Sequence, residues 1–447
     1  MANVTVVGGG LAGCEAAWQL AERGHDVTLV EMRPVRRTPA HQTDDLAELV
    51  CTNSFKSEDP ANAHGLLKLE MRMLGSLLLS AAEPARVPAG AALAVDRHAF
   101  ARAMTRAVTT HPAIRVVRDE LQQLPAGPAI VATGPLTSDG LAAAIADLLG
   151  DDGLAFYDSI APIVSFESVD TDVAYFLSRY NKGGDDYLNC PLDRGQYQDF
   201  LHALRTAETY PGHDWERVPY FEGCLPIEVL AGRGDDTMRF GPMKPVGLPD
   251  PRTGREPYAV VQLRREDRAG QLWNLVGFQT RLRTGEQRRV FRMIPGLGEA
   301  EFLRHGSIHR NTYLNFPGRL TAHGAPPDRP DLIFAGQLTG VEGYTESAAS
   351  GILAGINLDR VVEGAEPVLP PSTTMLGGLY RYLRETKPAD FQPMNSNFGL
   401  LDPLPERVRG RREKRERLAR RARDDLTRWL ADHAVSPATA PALGVSA

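Results

Sequence analysis

The sequence predicts an α/β chain whose Rossmann-like, nucleotide-binding domain is discontinuous, interrupted by an inserted α+β domain. Three observations carry this expectation. A glycine fingerprint joins a strand to a helix at the start of the chain, a strand–turn–helix with small residues recurs far downstream, and the texture changes between them.

The first element is the β-branched run Val4 to Val7, which leads into Gly8-Gly9-Gly10-Leu11-Ala12-Gly13 and an Ala-rich helical stretch. A second strand then ends in Glu31. Gly8 permits the tight turn, Gly10 lets backbone N–H groups approach a pyrophosphate, and Gly13 allows close helix–strand packing. The helix directs its positive end at the phosphates. Glu31 is placed to accept hydrogen bonds from an adenosine ribose. Gly8 to Gly13 and Glu31 are therefore the expected dinucleotide contacts.

Downstream, Asp331 to Asn357 reads as a short strand, a glycine-containing turn and a helix of small residues, and Ala129 to Gly134 reads as a strand re-entering the same sheet. Two-part flavoproteins place such a late unit under the ribityl and pyrophosphate of FAD. Gly134, Gly336, Gln337, Gly343 and Tyr344 thus join the expected cofactor site. With no second GxGxxG to hold a nicotinamide, FAD is favoured over NAD as the resident cofactor.

Composition sets the outer bounds. The 447 residues are 43% hydrophobic and 24% charged, enough for two or three domains and a large core. No apolar run is long enough to span a bilayer, and the apolar start is a strand followed by glycines rather than a signal peptide. The four cysteines form no CxxC and the eleven histidines no ligand cluster, so no metal is expected and a reduced, cytoplasmic enzyme fits. A net charge of −6 argues against a protein that is basic throughout. Yet ten Lys or Arg fall between Arg407 and Arg423, and Arg33, Arg36 and Arg37 form a smaller group. A solvated face and a phosphate-contacting face are both open readings.

Along the chain, the expected order is a first FAD-domain segment (1–155), the inserted domain (156–308), a second FAD-domain segment (309–400) and a basic helical tail (401–447). Helices are expected from Ala61 to about Ala82 and near Gln196 to Thr206. Strands are expected at Tyr258 to Leu263 and Leu272 to Phe278. The last dozen residues, rich in Ala and Pro, read as frayed.

A cysteine without a metal or disulfide is by default a small buried hydrophobe, which suits Cys14 and Cys190. Cys51, in VCTNSFKS, and Cys224, in YFEGCLPIEVL, lie among polar groups instead, where a nearby Lys or helix start favours a thiolate. They are the candidate catalytic residues.

The strings VCTNSFKS, RVPAGAALAVDR, YLNCPL, FEGCLPIE, FGPMKPVGL, AVVQLRRED, HRNTYLN, GVEGYTESAASG and MLGGLYRYL closely resemble one family, and the likeness runs from Met1 to about Leu430. It is the bacterial folate- and FAD-dependent tRNA (uracil-5-)-methyltransferase family, which makes the T-loop ribothymidine. The resemblance implies 5,10-methylenetetrahydrofolate as carbon donor, NAD(P)H as reductant acting through FAD, and tRNA as substrate. The chemistry is coherent: uracil C5 becomes nucleophilic once a thiolate adds at C6, and a base must then remove the C5 proton. Cys51 and Cys224 match the family's two implicated cysteines. Cys224 is taken as the C6 nucleophile and Cys51 as its helper near the flavin, with the reverse assignment open. Lys244, Arg264, His309, Arg310 and Asn311 are candidate folate- or RNA-facing groups, or ordinary loop polars. The target uridine lies inside a folded loop, so flipping is expected. A monomer is favoured.

Three rivals remain. The larger flavoprotein that modifies wobble uridines with the same folate carries a long extra helical domain for which 447 residues leave no room. A small-molecule NAD(P)H-dependent flavin oxidoreductase needs neither paired cysteines nor a basic tail. A tRNA-binding module with structural FAD would consume no folate.

Overall fold

The computed structural model describes residues 1–38, 40–150, 154–181, 184–210, 225–441 and 443, leaving aside the side chains of 154–160, 181 and 307–312. Its centre is a five-stranded, all-parallel sheet in the order Leu332–Phe334, Ala129–Val131, Asn3–Val7, Asp26–Glu31, Ile114–Arg118. Val6 stands in register with both Leu29 and Ile130, and all three are fully buried. Near-continuous apolar runs are what a parallel sheet covered on both faces demands. Strands from both ends of the chain thus share one sheet, the Rossmann-like arrangement that the glycine fingerprint predicts.

The helix Leu11–Glu22 packs directly on the late helix Tyr344–Val362. A Cβ at Gly351 would stand 2.2 Å from the Ala12 carbonyl oxygen, and one at Gly355 would stand 2.7 Å from the Gln19 Cβ. The small residues of the late helix are therefore what let the two helices touch.

The inserted domain is built on a six-stranded antiparallel sheet in the order Tyr175–Phe176, Tyr187–Leu192, Ala259–Arg265, Leu272–Leu275, Ile163–Ser165, Phe302–Arg304. The helices Arg194–Thr206 and Thr284–Phe291 contribute to its own core, which includes Cys190, Phe200, Leu263, Trp273, Phe278 and Phe291. An antiparallel ribbon, Leu154–Ile160 with Ser307–Tyr313, leads into and out of this domain.

Two expectations are corrected. The run from Ala61 to Ala82 is two helices, Ala63–Met73 and Leu77–Ala85, because Gly75 takes φ +77° and the Ser76 hydroxyl accepts the Leu79 N–H to start a new helix. The tail is not frayed as far as Thr439: the Trp18 indole N–H donates to the Thr439 carbonyl at 3.1 Å, and the Thr439 N–H donates to Glu22. The tail helix Arg411–Asp432 buries Leu418, Ala422, Leu426 and Trp429 in the core of the nucleotide-binding domain. Among the described residues, no helix is long and apolar enough to cross a membrane.

Candidate active site

The first half of the site is the glycine loop. Gly8 adopts φ +102°, and a Cβ there would lie 2.6 Å from the Ala132 carbonyl oxygen, so only glycine fits the turn. At Gly13 a Cβ would be driven to 1.8 Å from the Gly8 carbonyl oxygen. A Cβ at Gly10 would instead meet nothing within 4 Å, which leaves the backbone open to a ligand. The helices beginning at Leu11 and Tyr344 both start from glycines, Gly10 and Gly343, with no side-chain cap. Their first amide groups are left as donors for an anion. This cradle fits a dinucleotide pyrophosphate, and the adjoining cleft is lined by Gly8, Gly10, Glu31, His41, Thr133 and Ser138.

Glu31 stands at the cleft already engaged, accepting from the Gly9 N–H at 2.8 Å and from Arg33 Nε at 2.7 Å. Burial opposes its ionisation, but Arg33 and the Gly9 amide outweigh that and hold the carboxyl below its ordinary range. An ionised carboxylate keeps lone pairs free for a ribose. The small basic group read from the sequence is neutralised: Arg33 pairs with Glu31 and Glu48, Arg36 with Glu120 and Asp139, and Arg37 with Asp44.

Cys51 supplies the second half. The Tyr344 hydroxyl, at the first turn of the late helix, lies 3.1 Å from Cys51 Sγ and accepts the Cys51 N–H at 2.8 Å. Burial, reinforced by the nearby Cys51 sulfur, raises the tyrosine well above its ordinary range, so it remains a neutral phenol. Two residues on, Glu346 pairs with His64 at 3.2 Å and accepts the Ser396 N–H. Burial works against that carboxylate, yet His64 and Lys56 hold it well below the usual range. Lys68, unremarked in the sequence, is buried with its ammonium on the carbonyls of Phe55 and His64, and burial lowers it to about 8.

The segment after Cys51 is clamped by the inserted domain. Arg264 donates to Asn53 Oδ1 at 3.0 Å and to Thr52 Oγ1 at 2.7 Å, while the Asn53 amide donates to the carbonyls of Val95 and Arg265. Beside it, Arg97 donates to the Leu49 carbonyl and forms a buried pair with Glu266 of the inserted domain. Spacing in the sequence gave no sign of that pair. Arg264 is thus turned onto protein, whereas Lys244 is half-buried and its side chain has no partner among the described residues.

The remaining candidates divide plainly. Gly336 takes φ +78° against Ala12, and the Gln337 amide donates to Glu342. Gly134 takes φ +68° with open space before it, beside the same cleft. Cys14 and Cys190 are fully buried, which pushes both thiols far up. Cys224 lies outside the described residues, as do the side chains of His309, Arg310 and Asn311.

The family described as glucose inhibited division protein A matches residues 3–366. The chain is similar to methylenetetrahydrofolate–tRNA-(uracil-5-)-methyltransferase TrmFO of Geobacter sulfurreducens, 56% identical over 96% of this chain and 99% of that protein. The protein of the same description from Bacillus subtilis is 54% identical over 94% of this chain and 97% of its own length. Among solved structures, Aquifex aeolicus GidA superposes with a TM-score of 0.66 at 17% identity, covering 96% of this chain and 76% of that one, a likeness of fold.

Proposed function

The chain belongs to the methylenetetrahydrofolate–tRNA-(uracil-5-)-methyltransferase family, and from that premise we propose how its residues divide the reaction. It is a methyltransferase that acts on C5 of a tRNA uridine, with methylenetetrahydrofolate as carbon donor and FAD as cofactor. Our reading adds that the uridine is that of the T-loop, that NAD(P)H is the reductant, and that the enzyme works as a cytoplasmic monomer. When bound, FAD supplies the electrons that convert a methylene into a methyl group.

In this reading Gly8, Gly9, Gly10, Leu11, Ala12 and Gly13, with the N-terminus of the late helix, hold the pyrophosphate, and Glu31 holds the ribose. Gly134, Gly336, Gln337, Gly343 and Tyr344 complete the cofactor wall. Cys224 adds to C6 of the uracil and Cys51 assists, or the two exchange roles. Either way a sulfur–carbon bond forms at C6, and C5 gains carbanion character and takes the one-carbon unit. A base removes the C5 proton as the thiolate leaves C6 and the C5–C6 double bond is restored. The Tyr344 hydroxyl stabilises the Cys51 thiolate by donating a hydrogen bond to it. Arg264 and Asn53 fix the loop that carries this sulfur.

The observation that carries the reading is the meeting of Cys51 Sγ with the Tyr344 hydroxyl at 3.1 Å, on the turn that begins the late helix of the cofactor cradle. The test is methylation of unmodified tRNA with NAD(P)H and isotopically labelled methylenetetrahydrofolate. Label in T-loop 5-methyluridine, lost in both Cys51→Ala and Cys224→Ala, is expected. NAD(P)H oxidation with no label in tRNA would leave a plain flavin reductase.

A further inference from the structure

The tail helix carries a charge distribution that the reaction described above does not use. Residues 407–423 hold ten positive and two negative side chains, a local net of +8 in a chain whose total is −6. The rest of the molecule is therefore strongly acidic, and this segment opposes it. One face anchors the helix through Leu418, Ala419, Ala422, Leu426 and Trp429, so Arg411 and Lys414 project from the exposed first turn of an anchored helix rather than from a loose tail.

Ion pairing sorts these cations. Arg412 pairs with Glu416, Arg417 with Glu413 and Glu406, and Arg423 with Asp424. Arg421 is spent on the carbonyls of Asp402 and Pro403, and Arg415 lies over the Phe398 ring at 5.4 Å. Arg407, Arg409, Arg411 and Lys414 are exposed and paired with no carboxylate among the described residues. They are contiguous: two precede the helix, and Arg411 and Lys414 share a face at i, i+3. Arg420 is also unpaired but points elsewhere, half a turn from Arg411 around the helix axis.

The four stand at the N-terminal end of the helix, where the neighbouring Arg412 and Arg415 face Asp59 and Phe398. The tail helix packs on the helix Ala63–Met73, and Arg412 feels the carboxylate of Asp59, three residues beyond Lys56. A second route runs from Arg415 through Phe398 to Ser396, whose N–H reaches Glu346 two residues from Tyr344 and hence Cys51. Lys56, exposed at φ +62° in the bulge after Ser54, lies between this end and Cys51 in the chain.

We propose that Arg407, Arg409, Arg411 and Lys414 form a phosphate-binding rim that receives the backbone of the tRNA beside the active site. The inference rests on tRNA being the substrate. Fixed cations without counter-charges release the ions condensed on RNA when they meet its phosphates, and that release drives binding in a salt-dependent way. The rim positions the folded RNA and reads no base.

The test compares wild type, the fourfold Ala variant and Arg420→Ala, as FAD-loaded full-length protein, in binding of unmodified tRNA over a salt series. All the replaced side chains are exposed, and retained flavin absorbance verifies the fold. The fourfold variant should bind at least about tenfold more weakly at moderate salt, with a log–log salt slope shallower by about two to four units, while Arg420→Ala binds as wild type. The double reversal Arg411→Glu/Lys414→Glu should weaken binding further than Arg411→Ala/Lys414→Ala, and an equal effect of the two pairs would overturn the rim. Unchanged affinity and slope in the fourfold variant, with wild type binding normally, overturn the rim alone. An equal loss in Arg420→Ala also overturns it, because the effect would then be general charge. Wild type that binds no tRNA at any salt overturns both the rim and the functional reading.

Discussion

The hydroxyl of Tyr344 touches Cys51 twice, at 2.8 Å from its amide nitrogen and 3.1 Å from its sulfur. With Cys51 as a thiol the hydroxyl accepts from both groups; once the sulfur ionises, the hydroxyl proton can turn to it while a lone pair still accepts the amide. A hydrogen bond to a charged acceptor is the stronger kind, so the hydroxyl matters most to the ionised sulfur. Tyr344→Phe should therefore slow alkylation of Cys51 near neutral pH by about tenfold, consistent with loss of a bond to a charged group. Mass-spectrometric rates of Cys51 labelling provide the check. A rate equal to wild type would mean the hydroxyl serves the backbone amide alone.

The glycines separate binding from folding. Gly13→Ala forces a Cβ to 1.8 Å from the Gly8 carbonyl oxygen, whereas a side chain at Gly10 enters open space. Gly13→Ala should lower the melting temperature whether or not FAD is present. Gly10→Val should leave the apoprotein's melting temperature near wild type and abolish flavin retention on purification. If Gly10→Val keeps its flavin, the pyrophosphate is not held at this turn.

Arg97 and Glu266 form a buried pair between the two domains, with side-chain exposures of 10% and 1%. Removing one partner strands a buried charge, which costs about 3–5 kcal/mol, whereas replacing both with apolar groups is often neutral. Arg97→Met and Glu266→Leu should each lower the unfolding free energy by that order, and the double variant should recover most of it. Additive losses in a denaturant double-mutant cycle would show that the two act separately.

What was legible in the sequence was local. The turn at Gly8, the contact at Gly13 and the small residues facing the first helix each follow from a fixed spacing, and the cofactor half of the fold follows from them. The junction was not legible, because its partners are far apart in the chain: Cys51 and Tyr344 by 293 positions, Arg97 and Glu266 by 169. Charge runs left one case open, since Arg33, Arg36 and Arg37 meet carboxylates that only the fold brings to them. Composition misled in another. The Ala- and Pro-rich end reads as frayed, but the Trp18 indole N–H needs an acceptor and the Thr439 carbonyl provides it.

Two buried glutamates make stability depend on pH with an unusual sign. Glu15 accepts the N–H groups of Leu77 and Leu78 at 3.0 and 2.9 Å, and Glu70 accepts those of Met375 and Leu376 at 2.7 and 2.9 Å. Each caps the first turn of a neighbouring helix. Burial raises both carboxyls to about 7, against the opposing pull of those amides. The folded state therefore holds a proton that the unfolded chain releases near 4.5. Folded protein binds more protons than unfolded across that window, so stability falls as pH rises from about 4.5 to 7 and is flat on either side. At 1.36 kcal/mol per unit, the loss is at most roughly 3 kcal/mol for each group. Both oxygens of each carboxyl accept an N–H, which a glutamine NH2 cannot do, so the reference is a variant that does not titrate. Glu15→Leu and Glu70→Leu lose the caps at every pH, and the stability advantage of wild type over them should shrink between pH 5 and pH 8 in denaturant unfolding. If that advantage instead grows between pH 5 and pH 8, the helix N-termini hold these carboxylates ionised, and their electrostatic pull outweighs burial.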